Sequence, residues 1–290
     1  MPPVVRLMGI KRTYRHPVAM YRKIYERQLR PERYAPPKSI DRIVHCAIDY
    51  RDSWPIYEIV PRSVEPGARV LYLHGGGYIS EITDMHWRFI AQLAAETASR
   101  VTIPIYPLAP LATAATVVPT VTGIAAELVA AAGPGNTTVM GDSAGGGMAL
   151  ATVMQLRDRG LPAPRTILIS PWLDVAMTDP GIAPLERRDP MLAPVGLAAA
   201  GDAYRGTLPV RDPMVSPLFG DLRDLGPITM FCGTRDILVA DARRLAARAT
   251  QENVTLDYYE APEMLHVYPL LPIPEAKQAR ALIAGALGRR

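Results

Sequence analysis

The sequence predicts an α/β protein built on a mostly parallel sheet that helices cover on both faces. Two observations predict it. From residue 69 onward, short apolar runs alternate with segments of helical period. The first of those runs, RVLYLH, is continuous rather than alternating, as a strand buried on both faces requires. A third observation marks what lies outside the sheet: residues 17–30 and 174–220 break the alternation. A length of 290 residues suits one large α/β domain with such an elaboration, or two average domains.

The elements follow in order. In PVAMYRKIYERQLR (17–30), Val18, Tyr21, Ile24, Tyr25 and Leu29 recur at helical spacing with arginines between them, so this is an amphipathic helix. PERYAPPK breaks it. IVHCAIDY (43–50) and PIYEIV (55–60) read as two strands around a polar turn, and SVEPGA (63–68) is a further turn. RVLYLH (69–74) is a buried strand, MHWRFIAQLAAETAS a helix and RVTIPIY a strand. VVPTVTGIAAELVAAAG is a helix closing on Gly133, and TTVMGD (137–142) runs as a strand straight into the helix AGGGMALATVMQLRDRG. RTILIS, PITMFCG and VTLDYYE are strands; VADARRLAARATQE and PEAKQARALIAGALGRR are helices. The proline-rich stretch 174–220 contains one helix-like piece, LAPVGLAAAGDAY. It reads as an insertion that lies, with the N-terminal helix, over the carboxyl ends of the strands. The apolar face of that helix, with Tyr21 and Tyr25, is expected to pack near the insertion and help close a pocket.

Composition excludes several function classes. Hydrophobic residues make up 49% and charged residues 21%, ordinary for a globular enzyme. The two cysteines, Cys46 and Cys232, are far apart, which excludes a disulfide framework, and Cys232 lies in an apolar run as a core residue. No run of about 18 apolar residues is expected to span a membrane. The first residues have too short an apolar run for a signal peptide. The expected location is therefore the cytoplasm, without stable membrane insertion. Residues 1–42 hold eleven Lys/Arg and three Asp/Glu, a net +8; the whole chain is +4, so the remainder is about −4. A basic arm can attract anionic lipid or nucleic acid. The simpler expectation is a solvated helix that also packs on the body, and no nucleic-acid motif is present.

Chemistry enters with Gly141-Asp142-Ser143-Ala144-Gly145, a G-x-S-x-G between a strand and a helix. That context makes it a nucleophile elbow: a sharp turn exposes the serine Oγ and directs helix N-terminal N–H groups at developing negative charge. Neither a P-loop lysine nor a G-x-G-x-x-G is present, so the turn is not a nucleotide site. His74-Gly75-Gly76-Gly77 follows the strand RVLYLH. Consecutive glycines let backbone N–H groups approach an oxyanion, as acyl transfer needs.

HGGG followed by GDSAGG resembles the hormone-sensitive-lipase-like esterases, a branch of the α/β-hydrolases. Tyr106-Pro107-Leu108-Ala109-Pro110, Ser170-Pro171-Trp172-Leu173-Asp174 and Asp212-Pro213-Met214-Val215-Ser216-Pro217 agree with it over roughly residues 40–290. The resemblance implies an α/β-hydrolase fold with a sheet of about eight strands and a helical cap. It also implies hydrolysis of carboxylic esters without a cofactor or metal, and an oxyanion hole on the N–H groups of Gly76, Gly77 and Ala144. The family's YRLAPE reads YPLAPL here, so the anchoring Arg and Glu are replaced by Pro107 and Leu111. Val267 and Tyr268 follow the histidine where Gly-Phe is common. The expected organisation is an N-terminal cap segment (1–40), the core (41–173), a cap insertion (174–220) and the rest of the core (221–290).

In this fold the acid and then the histidine follow the serine. Only His266, among five histidines, lies after Ser143, in a loop between a strand and the last helix. His16, His45 and His86 are expected to be surface or packing residues, and His74 a structural part of the glycine loop. Asp236, just past the strand PITMFCG, is the expected acid, with Asp174 as its rival; Asp241 and Asp257 fall inside a helix and a strand. Ser143, His266 and Asp236 would then act as nucleophile, general base and orienting acid. The expected substrate is a small ester with a short- to medium-chain acyl group. A lactone would use the same groups, and a non-catalytic small-molecule receptor is the alternative outside catalysis. The sequence leaves a monomer and a homodimer both open.

Overall fold

The computed structural model describes residues 10–62 and 67–288. Most of the expected turn at 63–68, and the opening residues weighed as a leader, lie outside that range. The eight strands are β1 (Val44–Arg51), β2 (Trp54–Pro61), β3 (Ala68–Leu73), β4 (Ser99–Pro104), β5 (Thr137–Asp142), β6 (Arg165–Ile169), β7 (Ile228–Gly233) and β8 (Leu256–Ala261). They form one sheet in the order β1-β2-β4-β3-β5-β6-β7-β8. β1 and β2 pair antiparallel, as do β2 and β4; every other pair is parallel. This is the α/β-hydrolase fold.

Period-two alternation explains why the sheet holds two cores. Leu71, Leu73, Val139, Leu168 and Met230 face one side. Val70, Tyr72, Met140, Ile167, Ile169 and Phe231 face the other. On the first side lie α4 (Ala114–Ala132), α5 (Ala144–Asp158) and α8 (Val239–Gln251); α3 (Asp84–Thr97) and α9 (Ala276–Gly288) cover the second. Nearly every residue of α5 is buried, so its apolar character runs all round rather than in a stripe.

Helix α4 corrects one expectation. Its 19 residues are long and apolar enough to cross a membrane by length and composition alone, and it is the one such helix among the described residues. Half of its most apolar window is buried, and Val117, Val118 and Val121 pack into the first core.

The N-terminal elements α1 (Ile10–Tyr14) and α2 (Pro17–Leu29) pack on α7 (Pro194–Arg205) of the 174–220 stretch, which also contains α6 (Ile182–Glu186). The contact between the two segments was expected, but the face was not. Met20 and Ile24 are the buried residues of α2. Val18, Tyr21, Tyr25 and Leu29 are exposed. Helical period reveals a stripe without saying which way it turns. Here Met20, Ile24 and Arg27, at i, i+4 and i+7, form the inner line. Arg27 reaches inward to donate to the carbonyl of Ile79 at 3.0 Å and to the Ser80 hydroxyl.

Candidate active site

The strand order reverses around β3: the chain passes from β3 to β4 on one side, then crosses to β5 on the other. The carboxyl ends of β3 and β5 therefore border the crevice where open α/β sheets take ligands. The HGGG loop leaves β3 there and Ser143 leaves β5. The register pairs Leu73 with Gly141, so the two motifs lie side by side.

Ser143 stands alone between β5 and α5, with φ 52° and ψ −120°. A non-glycine residue in this region is strained and persists only where its surroundings dictate it. Crowding dictates it here. A Cβ on Gly145 would overlap the Leu73 carbonyl of the neighbouring strand, and one on Gly141 would overlap the Gly145 carbonyl.

Asp236 follows β7 and His266 follows β8. His266 Nε2 lies 2.9 Å from Ser143 Oγ, and His266 Nδ1 lies 2.7 Å from Asp236 Oδ2. All three side chains are buried. Val267, next to the histidine, has φ 50°, costly for a β-branched residue. Its N–H donates to Ser170 Oγ at 3.0 Å, which ties the histidine loop to the end of β6. Burial alone would lower the pKa of His266. The charge and hydrogen bond of Asp236 outweigh it, Asp189 and Asp142 add to them, and the net shift is upward. The second carboxylate oxygen of Asp236 accepts the Leu238 N–H at 2.9 Å, which fixes its orientation.

Asp174 is engaged elsewhere: it accepts from the Ala176 N–H at 3.0 Å and the Thr178 hydroxyl at 2.5 Å. Asp241 lies in α8 and Asp257 in β8. His16 and His45 are exposed, and His74 is buried, stacked on Tyr106 with ring centroids 4.3 Å apart. Burial drives the His74 pKa down to about 4, so this imidazole is neutral at pH 7.

Gly76 and Gly77 have φ of 124° and 64°, and among the described residues none accepts from their N–H groups. Gly75 differs, because its N–H donates to Asp142 Oδ1 at 3.0 Å. Asp142 also accepts from the Tyr72 hydroxyl at 2.7 Å, and its other oxygen lies 3.2 Å from His86 Nε2. Burial raises the Asp142 pKa, but His86, Tyr72 and the Gly75 N–H together hold it below the ordinary carboxylate value. Ala144 opens α5, where first-turn N–H groups have no partner one turn back.

Ser143, His266, Gly76 and Gly77 line one cavity of about 490 Å³. Tyr14, Met191, Leu192, Leu197 and Val267 give it an apolar part; Arg27, Glu32, Ser80 and Glu81 give it a polar one. A larger cavity of about 560 Å³ lies along β8 and α9 and contains none of the candidate residues. Among the described residues no cluster of three or more His, Cys, Asp or Glu could hold a metal ion.

Four residues of the site carried no motif signal of their own. Asp142 occupies the variable position of G-x-S-x-G, and His86 reads as an ordinary helix residue. Tyr14 lies in a short helix that periodicity does not reveal. Asp189, from the 174–220 stretch, accepts from the N–H groups of Met191, Leu192 and Ile237 at 2.7, 3.0 and 2.9 Å. It thereby clamps that stretch to the Asp236 loop. Burial and the nearby Asp236 charge push its pKa up. Lys11 in turn donates to the Asp189 carbonyl at 2.6 Å.

A family model described as an alpha/beta hydrolase fold matches residues 70–270. A triacylglycerol lipase of Mycobacterium tuberculosis is 32% identical over 241 residues, covering 82% of this chain and 50% of that protein. The chain thus spans about half the length of that relative. An acetyl-hydrolase of Streptomyces hygroscopicus is 30% identical over 260 residues, covering 88% of this chain and 83% of its own. Among solved structures, one from Staphylococcus aureus, provisionally termed an esterase, superposes with a TM-score of 0.91 at 26% identity, covering 97% and 96% of the two chains. An esterase of the bacterial hormone-sensitive lipase family gives 0.79 at 27% identity, covering 94% and 97%.

Proposed function

The chain belongs to the α/β-hydrolase family, in its hormone-sensitive-lipase-like branch, and from that premise we propose that it is a serine carboxylesterase for small esters with short- to medium-chain acyl groups. One observation carries the reading: the unbroken line Ser143–His266–Asp236, at 2.9 and 2.7 Å, beside a loop in which the Gly76 and Gly77 N–H groups have no acceptor among the described residues. Ser143 Oγ attacks the ester carbonyl while His266 Nε2 takes its proton. The N–H groups of Gly76, Gly77 and Ala144 stabilise the oxyanion of the tetrahedral intermediate. His266 then protonates the leaving alcohol. It next activates the water that attacks the acyl-enzyme, which regenerates Ser143 and releases the acid. Asp236 holds the imidazole in the required tautomer and stabilises the imidazolium. This sequence of steps uses no cofactor and no metal.

The apolar part of the 490 Å³ cavity suits the acyl chain. We assign the segments 1–40 and 174–220 to a cap that shapes it, over a core of 41–173 and 221–290. The reading keeps the chain in the cytoplasm, in line with two unpaired cysteines.

Hydrolysis rates over a p-nitrophenyl acyl series, set beside a lactone panel, test the substrate class. Preference for acetyl to hexanoyl esters is expected; faster opening of lactones would transfer the activity to cyclic esters. A fluorophosphonate should label one serine per chain, and absence of labelling would leave a receptor rather than an enzyme.

A further inference from the structure

The outer face of α2 is apolar where a solvated helix is polar. Val18, Tyr21, Tyr25 and Leu29 are 73%, 40%, 61% and 84% exposed. Their spacing of three and four residues aligns them in a single stripe about 17 Å long. The opposite side carries Met20 and Ile24 into the core. The helix therefore has two apolar faces, of which the described residues cover one.

Charge singles out what fits the other face. Residues 10–33 contain eight Lys/Arg and two Asp/Glu. Arg15, Arg22 and Arg30 are exposed, and none makes an ion pair with a described residue. A second copy of the chain is a poor occupant, because stacking two stripes would set these arginines against their own counterparts. An anionic bilayer meets both requirements: headgroup phosphates face the arginines, and the acyl boundary takes the apolar stripe. Tyrosines suit that depth, with an apolar ring and a polar tip.

We propose that the outer face of α2 is a docking surface for an anionic phospholipid bilayer. On such a surface α2 lies in the interface plane. Its inner side, through Arg27, borders the cavity that contains Ser143. The cavity then stands about one helix diameter, ~10 Å, from the lipid. Docking at this face does not depend on the reaction at Ser143.

Vesicle co-sedimentation of the full chain tests it, with phosphatidylglycerol–phosphatidylcholine vesicles against phosphatidylcholine alone, at low and high salt. The expected result is binding to the anionic vesicles that weakens as salt rises. Arg15→Gln and Arg22→Gln should each lower the partition about fivefold. Tyr25→Ser combined with Leu29→Ser should reduce it to under a tenth, with thermal unfolding unchanged. Absence of binding to anionic vesicles overturns the proposal, as does binding that these variants leave intact. A dimer in sedimentation velocity that the stripe variants dissolve would assign the face to a second copy. Binding that appears only after deletion of residues 1–9 would assign it to that segment.

Discussion

Two histidine–aspartate pairs flank Ser143, built from the same side chains and put to different ends. In one, His266 bonds Asp236 through Nδ1 and turns Nε2 to the serine at 2.9 Å. In the other, His86 approaches Asp142 through Nε2, and its Nδ1 accepts the Thr83 N–H at 3.1 Å. The second ring is thus spent at both nitrogens on the start of α3 and on the residue that holds Gly75. An Asp–His pair is a base only where its outer nitrogen meets something to deprotonate. Otherwise it is a brace, here between α3, β5 and the glycine loop.

Substitutions can break that contrast, beginning at its centre. Ser143→Ala is expected to lower kcat on the order of a millionfold, as loss of one member of a triad can. Retention of a tenth of the activity would remove Ser143 from the reaction. Asp236→Asn should cost about 10⁴ in kcat by leaving His266 in the wrong tautomer. Asp174→Asn should cost far less, because its carboxylate serves the turn at Ala176 and Thr178. The reverse ranking in a kcat comparison would hand the role to Asp174.

The brace should matter less. His86→Ala is expected to lower kcat by up to about 10²-fold through a misplaced glycine loop, with a smaller change in KM. If kcat does not move, the second pair is packing alone.

Acidity sharpens the contrast further. The proposed reaction needs neutral His266, whose pKa is raised above its ordinary 6.5 by the neighbouring carboxylates. The kcat/KM profile should therefore rise through a limb above pH 6.5 and be lost as pH falls below it. Asp236, Asp189 and Asp142 all raise that pKa. Asp189→Asn should shift the limb to lower pH, and a limb that stays in place would show that Asp189 only clamps the chain. The smallest effect belongs to the cap. Tyr21→Ser should leave the acyl-length profile of soluble esters unchanged, because Tyr21 faces away from the cavity, whereas Leu197→Ala should change it. A shift with Tyr21→Ser would return that side chain to the pocket.

Much of this was legible in the chain itself, and for particular reasons. Strands β5, β6 and β7 are short, buried, largely apolar runs closed by Asp142, Ser170 and Gly233, so their limits follow from composition. The glycines around Ser143 mark the elbow because nothing larger fits between β3 and α5. His266 could be singled out because it is the one histidine after the serine. The N-terminal helix was legible as a helix but not in its orientation. Two lines of apolar residues run along it, and Arg27, a polar residue by composition, belongs to the inner one. Helix α4 passes a membrane-length test on its own sequence and packs as a core helix only in the presence of its neighbours.

The sequence by itself determined the order of elements, singled out the candidate serine and histidine, and set the position of the glycine loop. Each is a local property, fixed by period, by steric room at a turn or by order along the chain. Tertiary structure decided how distant carboxylates divide their work. Asp236 and Asp174 both follow strands, and only the side-by-side ends of β7 and β8 bring one of them to His266. Asp142 and Asp189 acquire partners from β3, α3 and the Asp236 loop, 48 residues or more away along the chain. No local pattern encodes such contacts, because a buried carboxylate takes its role from whichever donors the fold brings within about 3 Å of it.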